Sequence, residues 1–231
     1  MNKTFPQFED LCDDLTQVEK DTILKYLTDK LDYQSAINYL NYFYRLYWFA
    51  SRSKAKHIVE LGCTPGGSSI ALLYAINRID GRLWSCDLAQ IGLNDMSIYG
   101  VDDSRRTRVS LTKAADYGRM WLGPKLDLIY LDTSHTYEDT RDEVNAWLPH
   151  LREGGLFIFH DTSACVRTVL PAIFDEISQH SFGYEYHQFP DCHGHGVLQP
   201  FSCNTINEYK ERSDIVSVTY LLFEDMKRLS K

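Results

Sequence analysis

Acidic and histidine side chains stand directly after two apolar runs of the sequence. Asp132 and His135 follow the run 126–131, while His160 and Asp161 end the run 155–160. If the runs are adjacent parallel strands, these side chains meet at one rim of a crevice. Two carboxylates and two imidazoles can bind a divalent ion, and an imidazole can also take a proton near neutral pH. The pattern predicts a catalytic centre of His135, Asp132 and Asp161, with all four side chains as candidate metal ligands.

A plainer interpretation of these residues is structural. His135 precedes a predicted helix and could be a loop or N-cap residue, and the two aspartates could simply end their strands.

A glycine-rich turn follows another apolar run. Residues 57–69 contain Gly62, Gly66 and Gly67 between a strand-like segment and an apolar helix that begins near Ser68. Such a turn lets the backbone approach a ligand closely and directs helix N–H groups into the crevice. It has neither the lysine of a phosphate-binding P-loop nor the strict spacing of the dinucleotide fingerprint. A nucleoside is the ligand that this turn favours.

Two carboxylates flank this turn in the predicted sheet. Glu60 interrupts the apolar run before Gly62, and Asp87 ends the next apolar run. A carboxylate at such a position can accept hydrogen bonds from both ribose hydroxyls. Asp87 could instead be an ordinary strand-ending residue, whereas Glu60 is harder to explain because its strand is otherwise apolar.

The elements that must position these residues alternate from residue 57 onward, which is typical of βαβ units and a largely parallel sheet. The predicted strands are 57–61, 82–86, 107–111, 126–131 and 155–160, and the predicted helices are about 67–78, 92–101, 114–122, 138–151 and 165–180. Residues 152–155 are predicted to be a helix end with glycines at positive φ. Segments 184–189 and 196–199 are then predicted to form an antiparallel hairpin. Its turn contains His193 and His195, for which a turn position is favoured over contact with substrate or metal.

The flanking segments are predicted to be helical, so that the chain divides into an N-terminal extension (1–56), a core (57–200) and a C-terminal tail (201–231) packed on that core. Thr16 and Glu19 form a capping-box pattern at the start of the first helix. A second helix carries an aromatic series over residues 39–49. These rings could pack on the core, on a second copy of the chain, or line a substrate pocket.

Composition restricts the class of protein. A chain of 231 residues suits one α/β domain, and its net charge of -8 argues against a nucleic-acid partner. There is no apolar run of roughly 18 residues, and the polar N-terminus is unlike a signal peptide, so we expect a cytoplasmic protein without a membrane partner. The six cysteines lack C-x-x-C pairing, which predicts reduced thiols and no zinc-finger-type site.

Taken together, four segments resemble class I S-adenosylmethionine-dependent methyltransferases, and more narrowly the small-molecule O-methyltransferase group that includes macrolide-sugar and catechol methyltransferases. The segments are VELGCTPGGS at 59–68, Asp87, LDTSHTY at 131–137 and GGLFIFHD at 154–161. The resemblance covers about residues 57–199. It implies a Rossmann-like three-layer α/β sandwich with a mostly parallel seven-stranded sheet and an antiparallel last strand.

The resemblance also implies where S-adenosyl-L-methionine binds. The methionine moiety would lie near the glycine turn, the ribose on Asp87, and the adenine near Ala115 and Asp116. The residues implied in cofactor binding are Glu60, Gly62, Thr64, Gly66, Ser68, Asp87, Ala115, Asp116 and Asp132.

In metal-dependent members of this group, an acidic residue after the fourth strand and an acidic pair, or an acid and an amide, after the fifth hold magnesium. Here the segment after the fifth strand reads His160-Asp161-Thr162, so that His or Thr replaces one oxygen ligand of that pair, and magnesium prefers oxygen ligands. Manganese, iron, zinc or no metal are therefore alternatives to magnesium.

The expected activity is methyl transfer to a hydroxyl of a small molecule such as a sugar or polyketide, with a nitrogen acceptor as an alternative. The expected partners are this acceptor and a second copy of the chain through the aromatic helix. Two other functions remain open: an iron enzyme on the same fold, as in the cephalosporin hydroxylase-like proteins that this sequence resembles, and a non-catalytic nucleoside-binding scaffold.

Overall fold

A mixed eight-stranded sheet forms the centre of the protein in the computed structural model, which describes residues 12–64, 66–89, 95–179, 184–189, 193–200 and 219–220. Its strands are β1 (His57–Leu61), β2 (Arg82–Asp87), β3 (Arg106–Ser110), β4 (Leu126–Leu131), β5 (Leu151–Phe159), β6 (Tyr184–Phe189), β7 (His195–Pro200) and β8 (Thr219–Tyr220). Their order is β3-β2-β1-β4-β5-β7-β6-β8. The first five are parallel, and β7 runs antiparallel to β5 and β6.

Six α-helices cover the two faces of this sheet within the described residues. They are α1 (Gln17–Thr28), α2 (Tyr33–Arg52), α3 (Gly67–Asn77), α4 (Ala114–Arg119), α5 (Tyr137–Trp147) and α6 (Val169–Ile177). Residues of α1, α2 and α3 share one apolar core with Ile58 and Leu128, and residues of α4, α5 and α6 share the other with Val59 and Ile129. Alternate residues of a strand point to opposite faces, so both faces of the central strands are buried. The predicted three-layer fold with its reversed strand is confirmed.

The N-terminal helices belong to the same core as α3. Thr16 and Glu19 form the predicted capping box, and Asp32 caps α2 by accepting a hydrogen bond from the Ser35 backbone. The α2 rings of Phe43 and Trp48 are buried in this core. Packing within the chain therefore accounts for most of the aromatic series, while its use by a second copy stays a prediction.

Several predicted boundaries are wrong. In the segment predicted as helix 92–101, residues 92–94 lie outside the described residues and Met96–Tyr99 is a short 3₁₀ helix. The last predicted helix begins only at Val169, because residues 161–168 form turns. β5 begins at Leu151 rather than 155, since an irregularity in its pairing with β4 absorbs the predicted turn; Gly154 does take a positive φ of 76°.

The C-terminal tail is described only at two residues. Thr219 and Tyr220 pair with β6 as a strand, so the predicted helical tail is wrong there, and the rest of 201–231 lies outside the described residues. Cys12, Cys63, Cys86 and Cys165 are free, while Cys192 and Cys203 are not described. No described helix is long and apolar enough to span a membrane.

Gly62, at the end of β1, should tolerate no side chain. Its φ is 77°, and a Cβ there would collide with the backbone carbonyl of Asp132. Gly62→Ala should lower the free energy of unfolding by about 2–5 kcal/mol, combining about 1–2 for the left-handed conformation and about 1–3 for the collision.

Gly100→Ala is the matched control in urea unfolding without ligand. Gly100 has a φ of 75° but nothing within 4 Å of an added Cβ, so about 1–2 kcal/mol is expected. Equal losses in the two variants would show that the contact with Asp132 does not matter.

Candidate active site

A cleft of about 510 Å³ opens where the loops after β1, β2, β3 and β4 meet. The central strands end at the same level there. The Asp132 amide donates to the Leu61 carbonyl at 2.8 Å, and the His160 amide donates to the Leu131 carbonyl at 3.0 Å. Of the predicted cofactor residues, those that line the cleft are Gly62, Thr64, Asp87, Ala115 and Asp132.

The glycine loop, residues 62–67, needs glycine at two described positions. Gly62 has positive φ and donates its N–H to the Cys86 carbonyl at 2.9 Å. Gly66 precedes α3 with a φ of 109°, which an L side chain rarely adopts. The loop therefore runs close against the loop after β4 and then turns sharply into α3.

Asp87 holds the first half of this loop. Its Oδ2 accepts hydrogen bonds from the Cys63 amide (2.8 Å), the Thr64 amide (3.0 Å) and the Thr64 hydroxyl (2.9 Å). Its Oδ1 accepts one from the Ala89 amide at 2.7 Å. Burial raises the pKa of Asp87, but these hydrogen bonds outweigh burial and lower it below its ordinary value. Asp87 is therefore an ionised carboxylate on the cleft wall; its contact with ribose stays a prediction.

Glu60 lies beneath the loop instead of at the cleft. Its buried carboxylate accepts hydrogen bonds from the hydroxyls of Ser68 (2.6 Å), Ser69 (2.7 Å) and Ser85 (2.5 Å). The guanidinium of Arg106 lies 3.8 Å from it, and both side chains are fully buried. The predicted direct cofactor contact of Glu60 is not supported, and the Ser68 hydroxyl is likewise directed to Glu60. The parallel pairing of β1 with β2 sets Glu60 beside Ser85, and this network could have been predicted from that pairing.

Asp116 does not line the cleft. It is exposed, and its carboxylate lies 3.1 Å from Arg119. The first turn of α4 buries Ala114 and Ala115, which line the cleft, and leaves Asp116 at the surface.

The four residues of the His/Asp cluster, Asp132, His135, His160 and Asp161, come together at the edge of the cleft. His135 Nε2 lies 3.1 Å from both Asp132 Oδ1 and Asp161 Oδ2. His160 Nδ1 lies 3.2 Å from Asp132 Oδ1 and 3.0 Å from Asp161 Oδ2. The structure thus assembles the predicted constellation, whose chemical role it leaves as a prediction.

The backbone around the cluster is strained. His135 and Asp161 have φ values of 57° and 54°, a region that costs a residue with a Cβ about 1–2 kcal/mol. The Thr168 hydroxyl donates to the His135 carbonyl at 2.7 Å and helps to hold this conformation. Strain of this kind is often found at functional sites, where the surrounding structure maintains it.

The charges of the cluster balance one another. Burial lowers the pKa of His160, but hydrogen bonds and charge from Asp132 and Asp161 outweigh burial and raise it to about 9. Burial also opposes ionisation of Asp132, yet His135 and His160 lower its pKa to about 2. The pKa of His135 is raised in the same way by the carboxylates. The cluster stabilises carboxylate and imidazolium together.

Three further side chains reach the cluster: His193, for which contact with the site was weighed and not favoured, and Tyr130 and Tyr42, which were not predicted there. His193 Nδ1 lies 3.2 Å from Asp161 Oδ1. The Tyr130 hydroxyl donates to Asp132 Oδ2 at 3.1 Å and contacts the hydroxyl of the buried Tyr42 on α2. The period-two alternation of a strand sets Tyr130 on the face of Asp132, which was a usable signal. Nothing in the sequence indicated that Tyr42 reaches this point.

Comparison with known proteins identifies a family model and solved structures that this chain resembles. Residues 59–162 match the family model of a methyltransferase domain, a range that holds the glycine loop, Asp87 and the whole His/Asp cluster. The match spans a little under half of the chain and makes this segment similar to a methyltransferase domain. No curated protein matches the sequence significantly.

Solved structures share the fold of this chain at low sequence identity. A Podospora anserina methyltransferase bound to S-adenosylhomocysteine has 13% identity and a TM-score of 0.64, covering 83% of this chain and 93% of that one. A Bacillus cereus O-methyltransferase, also with S-adenosylhomocysteine, has 12% identity and a TM-score of 0.61, covering 84% and 96%. The Streptomyces achromogenes O-methyltransferase TomG, involved in tomaymycin synthesis and solved with S-adenosylmethionine, has 15% identity and a TM-score of 0.59, covering 84% and 93%.

The protein should depend on Glu60 for stability. Glu60→Gln leaves the buried Arg106 guanidinium without this carboxylate, and breaking a buried ion pair costs about 3–5 kcal/mol. Asp116→Asn is the control, because its exposed pair with Arg119 is worth about 0–1 kcal/mol. Chemical unfolding measures both, and a loss below about 1 kcal/mol in Glu60→Gln would contradict a structural role.

Proposed function

We propose that the protein transfers the methyl group of S-adenosylmethionine to a hydroxyl of a small molecule. The observation that carries this proposal is the position of the His/Asp cluster at the edge of the cleft that the glycine loop and Asp87 form. A nucleoside held by the loops after β1, β2 and β3 would present its reactive end to side chains at the ends of β4 and β5. Three solved O-methyltransferases or methyltransferases of the same fold hold this cofactor or its product, which supports the proposal.

In this reaction the cofactor supplies an electrophilic methyl group on a sulfonium. Asp87 would accept hydrogen bonds from the ribose. At Gly62 and Thr64 the backbone of the glycine loop would approach the methionine moiety closely. The wall of Ala114 and Ala115 offers an apolar surface to a flat base.

His135 would take the proton of the acceptor hydroxyl. As the oxygen–methyl bond forms and the carbon–sulfur bond breaks, the proton passes to the imidazole, whose charge Asp132 and Asp161 then stabilise. Their carboxylates already raise the pKa of His135, which makes it a stronger base. The remaining contribution is to hold the acceptor oxygen about 3–3.5 Å from the methyl carbon.

The donor set of the cluster also fits a divalent ion. One donor atom from each of the four side chains lies within 4.8 Å of the others. Two imidazoles beside two carboxylates suit manganese, iron or zinc better than magnesium, which prefers oxygen. Asp132, His135, His160 and Asp161 would hold the ion, and its chemistry there would be to acidify a bound hydroxyl.

That donor set supports a second candidate, an iron-dependent hydroxylase on the same fold. Two imidazoles with carboxylates are also a donor set of non-haem iron oxygenases. Metal analysis of the purified protein, with oxygen uptake measured beside methyl transfer, separates the two functions. A scaffold without catalysis is excluded by turnover of any acceptor.

The chain should bind S-adenosylhomocysteine through Asp87. Calorimetry should detect binding at micromolar ligand, and Asp87→Ala should weaken it by about 1–3 kcal/mol because an acceptor of the ribose hydroxyls is lost. Asp116→Ala is the control and should leave the affinity unchanged, since Asp116 does not line the cleft and pairs with Arg119 at the surface. Failure of the folded wild-type protein to bind would remove the basis of the proposed function.

Methyl transfer should be lost in Asp132→Ala and His135→Ala, with S-adenosylhomocysteine affinity changed less than about threefold. Loss of a positioned general base typically lowers rates by about 10² to 10⁴. Ser178→Ala serves as control, because Ser178 only caps the end of α6.

A chelator separates the two ways of deprotonating the acceptor. Little effect of chelation is expected when His135 acts alone, whereas loss of turnover with recovery on adding Mn²⁺ is expected when an ion assists. Full activity in both variants would show that the cluster is structural.

A further inference from the structure

Glu143 is a buried acid on the wall of the cleft that no step of the proposed reaction uses. It lies on α5, on the face turned toward the sheet, and 6% of its surface is exposed. Its Oε2 accepts a hydrogen bond from the Thr133 hydroxyl at 2.7 Å. Among the described residues, Thr133 is its one hydrogen-bond partner and no cation pairs with it. Its second oxygen is therefore left without a partner in this part of the chain.

The other two acids that α5 contributes to the cleft wall are already paired. Asp139 accepts hydrogen bonds from the hydroxyls of Ser134 (2.6 Å) and Thr136 (3.0 Å). Asp142 forms an ion pair with Arg119. Both are exposed, whereas Glu143 is buried and forms no ion pair with the described residues.

A contribution to folding stability does not explain why this position carries a carboxylate. Burial raises the pKa of Glu143 to about 7, which reflects the cost of an ionised group in this place. A glutamine could accept the same hydrogen bond from Thr133 without that cost. An uncompensated buried acid in a cleft is more often explained by a ligand.

The position of Glu143 matches the base end of the bound nucleoside. If the ribose lies on Asp87 and the sulfonium near the His/Asp cluster, the base must lie toward Ala114 and Ala115. Cys86 lines the same end, and Trp147, four residues after Glu143 on α5, donates its indole N–H to the Ala114 carbonyl at 2.8 Å. The carboxylate that sequence alone placed there, Asp116, is paired at the surface.

We propose that Glu143 recognises the nucleobase, with its free carboxylate oxygen accepting a hydrogen bond from the exocyclic amine of adenine. This inference rests on the proposed function, because it takes an adenosyl compound as the ligand. An amine donor pairs with a carboxylate acceptor, whereas a carbonyl at the same ring position would meet it with two acceptors facing each other. Glu143 thereby selects adenine over hypoxanthine.

The test compares S-adenosylhomocysteine with S-inosylhomocysteine, in which a carbonyl replaces the amine. Calorimetry at pH 8.5 keeps the carboxylate ionised. The wild-type protein should prefer the adenosyl compound about 10- to 100-fold, as expected for one hydrogen bond to a charged group. This comparison requires no variant.

Glu143→Gln should reduce the preference to less than about threefold, because its amide can donate to the carbonyl and still accept from Thr133. Glu143→Ala should abolish the preference. Asp139→Asn, a change in an acid of the same wall that is already paired, should keep the wild-type ratio.

Each remaining outcome is decisive. Equal affinities in the wild-type protein, or a wild-type ratio in folded Glu143→Gln, would overturn the assignment of Glu143 while leaving methyl transfer intact. Binding of neither compound to the wild-type protein would overturn both this assignment and the proposed function.

Discussion

The buried carboxylate of Glu60 is the interaction on which the cleft depends. It joins the first turn of α3, through Ser68 and Ser69, to β2 through Ser85 and to β3 through Arg106. A charge in this place is tolerated because three hydroxyls and a guanidinium replace the water that it loses. Since α3 begins where the glycine loop ends, the same carboxylate fixes one end of that loop, and Asp87 fixes the other. The cleft is thus shaped by acids whose partners are mostly parts of the protein itself.

The His/Asp cluster depends on parts of the chain outside the range that matches the methyltransferase family. Asp132 is held by Tyr130, whose hydroxyl meets that of Tyr42 on α2, and Asp161 is approached by His193 before β7. The ring of Tyr42 also lies 4.8 Å from that of His160 and 4.3 Å from that of the buried His195. The N-terminal helices therefore do more than cover the sheet: they limit the positions that the strained loops after β4 and β5 can adopt.

Sequence alone predicted the fold and the cluster for the same reason. Apolar runs that end in polar residues mark strands that terminate together, so Asp132 and His160 could be brought to one edge from their order in the chain. No comparable sequence pattern indicates in which direction a side chain beyond a strand end points. Asp116 sits one residue after Ala115, yet α4 turns one into the cleft wall and the other to Arg119. Glu60 looked like a ligand residue because it interrupts an apolar strand, and only the packing of α3 and β3 around it shows the protein groups that use its charge.

In the proposed reaction, the charged groups along the cleft would favour binding of the substrate over binding of the product. Its wall carries Asp87, Asp132 and Glu143 along with two exposed aspartates, against Lys113 and His135 as the basic groups. A cleft with this excess of acids attracts a cationic ligand such as a sulfonium. After methyl transfer the sulfur is neutral, and that attraction is lost at the step where the product must leave. In the proposed reaction the proton released by the acceptor would have a different fate, because the carboxylates that stabilise imidazolium in the His/Asp cluster would hold it there. In this proposal the acids along the cleft wall would attract the positive charge of the substrate, and Asp132 and Asp161 at the ends of β4 and β5 would hold the product proton, so that Asp132 takes part in both.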